Sequence, residues 1–362
     1  MNKTAQEILT ILEANGYEAY IVGGYVRDFL LGSTSTDIDI CTNATMKEVL
    51  KWISGEVNEY HSLNLKRNEL NIDITTFRMD GPYQNRRPME ISYTKELKED
   101  VKRRDFTINT ICMDKEGNII DLLNGREDLQ NKCIRVVGEI NQKIKEDPLR
   151  ILRAIRFATT LDFVIEPNLK EEIKKQNHLV STLSTYRIKE EVAKILTSPN
   201  YKKGLKLLKE LNLCEPLGLA FTNLVYTKDI CGMWAQMTLT KNFPFTKSEK
   251  ENIVKLREIK ELGSINREVI YTYGLYLSLV AAEILGIDSD SIYKIEKEMP
   301  IKEKKELDIS FQEIVDTLKI KPSKQAGEIE KELIKEVVNG RIFNKKKDLT
   351  NYLKSNKTRW FK

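Results

Sequence analysis

Residues 20–41 read YIVGGYVRDFLLGSTSTDIDIC, and this stretch decides the fold of the chain. It begins with an apolar run at 20–22, followed by Gly23 and Gly24 and then by an amphipathic segment that ends at residue 31. A polar turn leads to a second, alternating segment that contains Asp37 and Asp39. The pattern predicts a strand, a glycine turn, a helix and another strand, in that order.

The glycine pair and the two aspartates suggest a chemistry as well as a fold. Gly23 and Gly24 have no side chains, so backbone N–H groups there can approach a phosphate at the start of a helix. Alternate residues of a strand share one face, so Asp37 and Asp39 point the same way, roughly 7 Å apart. Two carboxylates at one strand edge can bind a hard cation such as Mg²⁺. A phosphate site beside two metal ligands indicates nucleotidyl transfer.

The composition describes a globular protein of more than one domain. The chain has 362 residues, of which 41% are hydrophobic and 31% are charged, and this length can bury substantial cores. It has 59 basic and 54 acidic residues, a net charge of +5 and a sequence pI of 8.7. This charge permits nucleic-acid binding without requiring it.

Neither a membrane span nor a secreted protein is expected. No stretch approaches the ~18–20 apolar residues of a membrane helix, and the amphipathic N-terminal segment lacks the apolar core of a signal peptide. The five cysteines are scattered without a C-x-x-C pair, which favours reduced thiols in the cytoplasm. The only histidines, His61 and His178, argue against a His-rich zinc site and a histidine-based hydrolase.

The first part of the chain, to about residue 138, mixes strand and helix patterns. Residues 71–78, NIDITTFR, alternate so that Asp73 faces away from the isoleucines, which predicts another strand. Residues 79–100 show little periodicity and contain RRP at 86–88. They are predicted to form a loop, either a mobile surface segment or a basic loop that closes over substrate.

From residue 146 onwards the pattern is almost entirely helical. The segment EDPLRILRAIRFATTL places Asp147, Arg150, Arg153 and Arg156 three residues apart, so they span about 180° of a helix. One interpretation is a solvated charged face. The other is a binding surface, because arginine suits phosphates and base edges. The basic C-terminal segment is likewise either a solvated helix end or a patch for phosphates and stacked bases.

Five motifs now stand in order, and together they resemble those of class II tRNA nucleotidyltransferases and bacterial poly(A) polymerases. They are GGYVRD with DIDI, RRDFTINTI, DLLNGREDL, EDPLRILRAIRFA and STYRIKEEVAKIL. Residues 307–340 also resemble the C-terminal tail of bacterial CCA-adding enzymes. The resemblance covers nearly the whole chain. It implies a polymerase-β-like α/β head, with a mixed sheet and helices, followed by an all-α neck, body and tail. The implied bounds are 1–138, 139–200, 201–285 and 286–362.

The resemblance also implies the residues of the site. Asp37 and Asp39 would bind Mg²⁺, and Asp73 would be a further catalytic carboxylate. The nucleotide-binding residues would be Gly23, Gly24, Arg27, Arg104, Asp105, Asp147, Arg150, Arg153 and Arg156. Among them, Asp147 and Arg150 would read the base edges of CTP and ATP, since the acid accepts from an exocyclic amine while arginine donates. The expected partner is the 3′ end of tRNA, with no membrane.

Two departures from the family pattern leave the reaction open. Tyr186 stands where a glutamate usually precedes Arg187, and the loop GPYQNRRP is one residue short, with Asn85 where an aspartate is usual. The expected reaction is template-independent addition of C, C and A to tRNA. The alternatives are CC addition, A addition or poly(A) synthesis by the same fold, and, more remotely, a catalytically inactive RNA-binding protein.

Overall fold

The computed structural model describes residues 2–58, 62–67, 69–84 and 86–361. The prediction about Asn85 therefore lies outside the described residues. The chain forms two compact units, an N-terminal unit of residues 1–219 with 241–243, and a C-terminal unit of residues 220–240 with 244–362.

The strands of the described residues are mostly short and concentrated before residue 140. In chain order they are β1 Ala19–Val22, β2 Asp37–Thr42, β3 Glu56–Val57, β4 Ser62–Arg67, β5 Leu70–Thr76, β6 Arg78–Asp80, β7 Tyr83–Gln84, β8 Arg87–Pro88, β9 Ile91–Tyr93, β10 Cys112–Met113, β11 Ile119–Ile120, β12 Cys133–Ile134, β13 Val164–Ile165, β14 Leu219–Ala220 and β15 Thr238–Leu239.

Helices make up most of the rest. They are α1 Lys3–Ala14, α2 Gly24–Leu30, α3 Met46–Val49, α4 Leu97–Lys102, α5 Gly125–Gln130, α6 Ile140–Glu146, α7 Leu149–Thr160, α8 Pro167–Lys175, α9 Thr185–Leu196, α10 Tyr201–Glu210, α11 Cys214–Leu217, α12 Ile230–Ala235, α13 Lys247–Leu262, α14 Arg267–Leu285, α15 Ser289–Lys297, α16 Phe311–Leu318, α17 Lys324–Val338 and α18 Lys346–Trp360. Short 3₁₀ helices lie at Thr107–Asn109, Asn177–Thr182 and Lys304–Glu306.

A seven-stranded sheet forms the centre of the N-terminal unit, in the order β11-β10-β1-β2-β5-β4-β3. β1 runs antiparallel to β2, whereas β2 and β5 are parallel, so the prediction of a mixed sheet is confirmed. The isoleucines at 38, 40, 72 and 74 are buried. Because side chains alternate along a strand, this burial leaves Asp37, Asp39 and Asp73 together on the opposite face.

Residues 79–100 are not the loop that their weak periodicity predicts. β6 pairs with β9 and β7 with β8, both antiparallel, so residues 78–84 and 86–93 form a β-ribbon that leads into α4. A ribbon of this kind need not follow the apolar alternation of a half-buried strand. Met89 and Tyr93, for example, expose 65% and 55% of their surface. The sequence pattern therefore had no signal for these strands.

Helix α7 contains Arg150, Arg153 and Arg156 of the predicted row. Asp147 lies before it, at the end of α6, with an extended backbone (φ −146°, ψ 97°), so the prediction that all four share one helix is wrong for Asp147. Ile151, Leu152, Ala154 and Ile155 are buried, and so is Arg150, which is only 6% exposed. A solvated charged face therefore does not describe this helix at Arg150. A buried guanidinium must find partners inside the protein, because an unpaired buried charge is costly.

The C-terminal unit contains α12–α18. Trp234, Met233 and Met237 are buried and belong to its core. Pro322 lies between α16 and α17, and Gly340 follows the end of α17. The basic C-terminal segment is mostly helix α18, whose buried residues are Leu349 and Leu353.

Only α14, among the described helices, is long and apolar enough to cross a membrane. Its best window has a mean hydropathy of 1.3 and is 44% buried inside the protein. Its backbone is also interrupted at Gly274, where φ is 83° and ψ is 158°. Neither helical part on its own approaches the ~20 residues that a span requires.

Two helical glycines test how closely the helices pack. A Cβ at Gly204 in α10 would lie 2.4 Å from Ile195 Cγ2 and 2.7 Å from Thr159 Oγ1, whereas a Cβ at Gly327 in α17 would meet nothing within 4 Å. Gly204→Ala should lower the free energy of unfolding by about 1–3 kcal/mol through overpacking. Gly327→Ala should raise it by about 0.5–1 kcal/mol. Urea denaturation measures both, and a stabilised Gly204→Ala protein would contradict the close packing.

Candidate active site

The aspartates of the polar sheet face lie side by side. The register of β2 and β5 pairs Asp39 with Asp73 and Asp37 with Asn71. Asp37 and Asp39 are exposed, while Asp73 is half-buried. Asn71 Nδ2 donates to Asp37 Oδ1 at 2.7 Å, and Asn64 donates to Asp73 Oδ1. Strand pairing thus sets the spacing of the carboxylates, and the two asparagines orient them.

This row of carboxylates fits a divalent cation. Desolvation of the carboxyl group by its surroundings raises the pKa of Asp39. The positive charge of Arg104 opposes this rise, and the negative charges of Asp73 and Asp37 add to it. Within the described part of the chain, no group of three or more Asp, Glu, His or Cys forms a ready-made metal cage. A row of carboxylates without such a cage suits Mg²⁺, because this ion binds one or two protein carboxylates together with waters and substrate phosphates.

The glycine turn closes directly over these carboxylates. Gly23 has φ 82°, a conformation that L side chains rarely adopt. A Cβ at this position would lie 3.1 Å from Asp39 Oδ2 and 3.9 Å from Arg104 Nη1. The turn, the carboxylate and the guanidinium therefore share one small space, and glycine keeps it open.

The guanidinium of Arg104 binds a carboxylate on α4, that of Asp100. Its Nη2 donates to Asp100 Oδ2 at 3.1 Å, and the Asp100 side chain is fully buried. Burial opposes the charge of Arg104, but Asp100, with smaller contributions from Cys41, Cys112 and Asp39, raises its pKa. Arg104 therefore carries its positive charge beside Asp39 at any physiological pH.

Arg27 already has partners in the protein. Its Nη1 donates to Asn109 Oδ1 at 2.7 Å and its Nε to Asp28 Oδ1 at 2.8 Å. The residue is 8% exposed, and its guanidinium lies 5.1 Å from the ring centre of Phe157. The structure thus places Arg27 in a buried network beside the glycine turn.

Asp105 joins the head to the helix α7. Its Oδ2 accepts from Arg153 Nε at 2.8 Å, and its Oδ1 accepts from Asn109 Nδ2 at 3.1 Å and from the Phe106 backbone N–H at 2.8 Å. Burial opposes ionisation of Asp105, but Arg153 and these hydrogen bonds outweigh it and lower its pKa.

Asp147 and Arg150 have separate partners. Arg86, from the β-ribbon, donates its Nε to Asp147 Oδ1 at 2.6 Å. Arg150 Nη1 donates to the Lys143 carbonyl oxygen at 2.5 Å, and its guanidinium lies 5.8 Å from the ring centre of Tyr83, also in the ribbon. The ribbon therefore reaches both residues for which the resemblance implies base reading.

Three arginine side chains lie close to the aromatic ring of Phe157. The guanidinium groups of Arg27, Arg153 and Arg156 lie 5.1, 5.3 and 3.8 Å from its ring centre. Arg156 Nε also donates to Glu191 Oε2 of α9 at 2.7 Å. Arg153 and Arg156 are thus tied to carboxylates on other elements.

Sequence reasoning missed several residues that hydrogen-bond to the predicted site residues. They are Asn64, Asn71, Arg86, Asp100 and Glu191. Asn71 lies two residues before Asp73 on the same strand face, and Asp100 lies one helical turn before Arg104, so both spacings were visible. The partners Arg86 and Glu191 depend on tertiary folding and left no local signal.

Profiles of three protein families match successive parts of the chain. Residues 19–135 match the poly(A) polymerase head domain, residues 162–221 an RNA- and SrmB-binding site of polymerase A, and residues 220–353 a tRNA nucleotidyltransferase domain 2. A protein named CCA-adding enzyme from Ligilactobacillus salivarius is 34% identical over 385 residues, covering 96% of this chain and 95% of that relative. The chain belongs to the CCA-adding enzyme family.

Solved structures of CCA-adding enzymes agree with this membership. The Bacillus stearothermophilus CCA-adding enzyme in complex with CTP has a TM-score of 0.83 and 27% identity, over 99% of this chain and 98% of that one. The Thermotoga maritima CCA-adding enzyme complexed with tRNA shares the fold, with a TM-score of 0.71 at 20% identity, over 98% and 95% of the two chains. The family and fold implied by the sequence motifs are thereby confirmed.

The lowered pKa of Asp105 gives a pH-dependent contribution to stability. Its ion pair with Arg153 stabilises the fold above the ordinary aspartate pKa of about 4 and is lost as the pH falls through the lowered value. Asp105→Asn should therefore lower the free energy of unfolding by about 1–3 kcal/mol at pH 7. The difference from the parent protein should shrink below pH 4, as measured by urea denaturation across pH.

A matched control is Asp162→Asn. Asp162 also accepts from a cation, Lys203 Nζ at 2.7 Å, but its side chain is 65% exposed. An exposed pair contributes at most about 1 kcal/mol. A pH-independent loss in Asp105→Asn, or an equal loss in both variants, would contradict the assignment.

Proposed function

We propose that this protein adds C, C and A to the 3′ end of tRNA from CTP and ATP, releasing pyrophosphate, without a nucleic-acid template. The observation that supports it most directly is the row of Asp37, Asp39 and Asp73 beneath the Gly23 turn and beside Arg104. Carboxylates, an open backbone turn and a fixed guanidinium are what nucleotidyl transfer needs at one place. Similarity to CCA-adding enzymes over nearly the whole chain supports the choice of tRNA as acceptor.

Asp37 and Asp39 are the proposed Mg²⁺ ligands, with Asp73 as the adjoining carboxylate. Bound Mg²⁺ would lower the pKa of the tRNA 3′-hydroxyl and neutralise charge on the reacting phosphates. The asparagines at 64 and 71 keep the carboxylates oriented for this task. Gly23 and Gly24 leave room for the triphosphate, and Arg104 presents a permanent positive charge to it.

The remaining proposed nucleotide contacts surround this centre. Asp105 is assigned to the ribose hydroxyls, Arg27 to the triphosphate, and Arg153 and Arg156 to the phosphates or the base. Each of these arginines already binds a carboxylate or an amide, so direct contact with a nucleotide requires a change of partner. With their present partners, these arginines form part of the wall of the proposed nucleotide site.

Asp147 and Arg150 are proposed to read the base. Cytosine and adenine each offer an exocyclic amine beside a ring-nitrogen acceptor, which matches one acceptor and one donor. Asp147 is paired with Arg86, so the incoming amine must compete for the same carboxylate. The β-ribbon thus becomes part of base selection, because it holds Asp147 when no base does.

Each of the four proposed domains, head, neck, body and tail, has its own proposed role. The head, 1–138, performs the chemistry, and the neck, 139–200, supplies the base-reading residues Asp147 and Arg150. The body, 201–285, and the tail, 286–362, bind tRNA through phosphates and shape, since every tRNA must be accepted. The cytoplasm, where tRNA, CTP and ATP meet, is the proposed location.

The experiment that tests this function supplies tRNA lacking its last three nucleotides, or lacking only the final A, with CTP alone, ATP alone and both. The expected products are two C residues with CTP alone and the full CCA with both nucleotides. Products that stop at CC, addition of A only, or long A tails would each replace the proposal with a narrower enzyme or a poly(A) polymerase. Retained tRNA binding without incorporation would replace it with an inactive RNA-binding protein.

If Asp39 is a Mg²⁺ ligand, a conservative substitution there should cause a large loss of nucleotide incorporation. Asp39→Asn keeps the shape of the side chain but removes the charge, so incorporation should fall by more than roughly 10³-fold, since metal activation supplies several kcal/mol. tRNA binding should stay nearly intact in a gel-shift assay. Asp114→Asn is the control, because that carboxylate holds a turn through Asn118. Near-normal incorporation by Asp39→Asn would refute the assignment.

The base-reading assignment predicts altered selectivity. Arg150→Ala should relax discrimination against UTP and GTP by about one to two decades, because an unmatched buried hydrogen-bonding group costs about 1–3 kcal/mol. The measurement is kcat/KM for CTP, ATP, UTP and GTP on one tRNA acceptor.

Lys143→Met is the matched control for Arg150. Lys143 pairs with the same carboxylate, Glu146, at 3.5 Å, while Arg150 pairs with it at 3.2 Å. This control should keep the nucleotide preference of the parent protein. If Arg150→Ala lowers all four values by one common factor, Arg150 is a structural or phosphate contact instead.

A further inference from the structure

Asp100 is a buried carboxylate to which the proposed function gives no task. It lies on α4 and its side chain is inaccessible to solvent. Its Oδ1 accepts from Arg103 Nε at 2.9 Å and from the Arg78 backbone N–H at 3.2 Å, and its Oδ2 accepts from Arg104 Nη2 at 3.1 Å. One carboxylate therefore joins α4, the start of the β-ribbon and the phosphate-facing arginine.

The side chain of Arg104 keeps 14% of its surface exposed while Asp100 holds one of its nitrogens. Asp100 anchors Nη2, whereas Nη1 is the atom that lies 3.9 Å from the position of a Cβ at Gly23. Arg104 Nε is buried and has no hydrogen-bond partner among the residues that the structure describes. Because Nε is inaccessible to solvent, the nitrogen placed toward the Gly23 turn is Nη1, while Asp100 holds Nη2.

Asp100 shares its one negative charge between two guanidinium groups, those of Arg103 and Arg104. It therefore anchors Arg104 without neutralising both arginines. Burial raises the pKa of Asp100, but Arg103 and Arg104 outweigh it and hold the pKa below its usual range. Asp100 is therefore ionised at neutral pH and binds both arginines as a charged partner.

We propose that Asp100 is a positioning residue for nucleotide binding, which fixes Arg104 toward the triphosphate at the Gly23 turn. This rests on the proposed role of Arg104 as a phosphate contact. Since CTP and ATP share their triphosphate, loss of Asp100 should affect both nucleotides alike. A purely structural role would act on stability, and on the ribbon through Arg78, without this pattern.

The test combines Asp100→Asn with Arg104→Gln in single and double variants. The measurement is kcat and KM for CTP and for ATP on suitable tRNA acceptors, with UTP as a competitor. Asp100→Asn should raise KM for CTP and ATP by a common factor of roughly 10 or more, as expected when a contact group is misplaced. Discrimination against UTP should not change. The double variant should be no worse than Arg104→Gln, because the effect passes through that side chain.

Asp128→Asn is the matched control in the same unit. Asp128 is 5% exposed, and Arg135 Nε donates to it at 3.1 Å. This variant should lose stability without a change in KM. If Asp100→Asn does not fold, Asp100→Glu replaces it under the same non-additivity criterion.

The outcomes separate the two proposals. If Arg104→Gln leaves KM unchanged, the phosphate role of Arg104 is wrong. Suppose that Arg104→Gln raises KM. Then the positioning role alone is wrong if Asp100→Asn leaves KM unchanged, or if the rise in KM of the double variant is the product of the rises in the two single variants. An equal rise in KM for Asp128→Asn would likewise overturn the positioning role.

Discussion

The parallel pairing of β2 with β5 is the constraint on which the site depends. Its register sets Asp39 beside Asp73 and Asp37 beside Asn71, and burial of the isoleucines on the other face fixes that register. A slip of one residue would turn the carboxylates into the core. The hydrophobic core therefore determines where negative charge collects, and the glycine turn, Arg104 and the ribbon are arranged around that position.

Much of this was predictable from local pattern. Alternation around Asp37 and Asp39, and again around Asp73, identified both strands and their polar faces, and the helical periods after residue 146 identified the change to a mainly helical chain. The β-ribbon was not predictable, because its strands are short and residues such as Met89 and Tyr93 stay exposed. Nor was the Arg86–Asp147 pair, which joins residues 61 positions apart.

The arginines show a different limit of sequence reasoning. Their excess on α7 indicated phosphate or base contacts, but composition says nothing about which partners are already present. In the folded chain, Arg153 binds Asp105 and Arg156 binds Glu191. A buried guanidinium needs a carboxylate to offset its desolvation, so the residue types that suit a ligand also suit the protein interior. Only the contacts distinguish an anchored arginine from one that faces the ligand site.

The aromatic ring of Phe157 has a consequence for protein engineering. Three guanidinium groups, from two separate helices, share this one ring as their apolar support. A change at Arg27, Arg153 or Arg156 therefore alters the surroundings of the other two, and single substitutions will combine non-additively. A library meant to change nucleotide choice should vary these three positions together and keep residue 157 aromatic, since beneficial combinations would be invisible to one-at-a-time scanning.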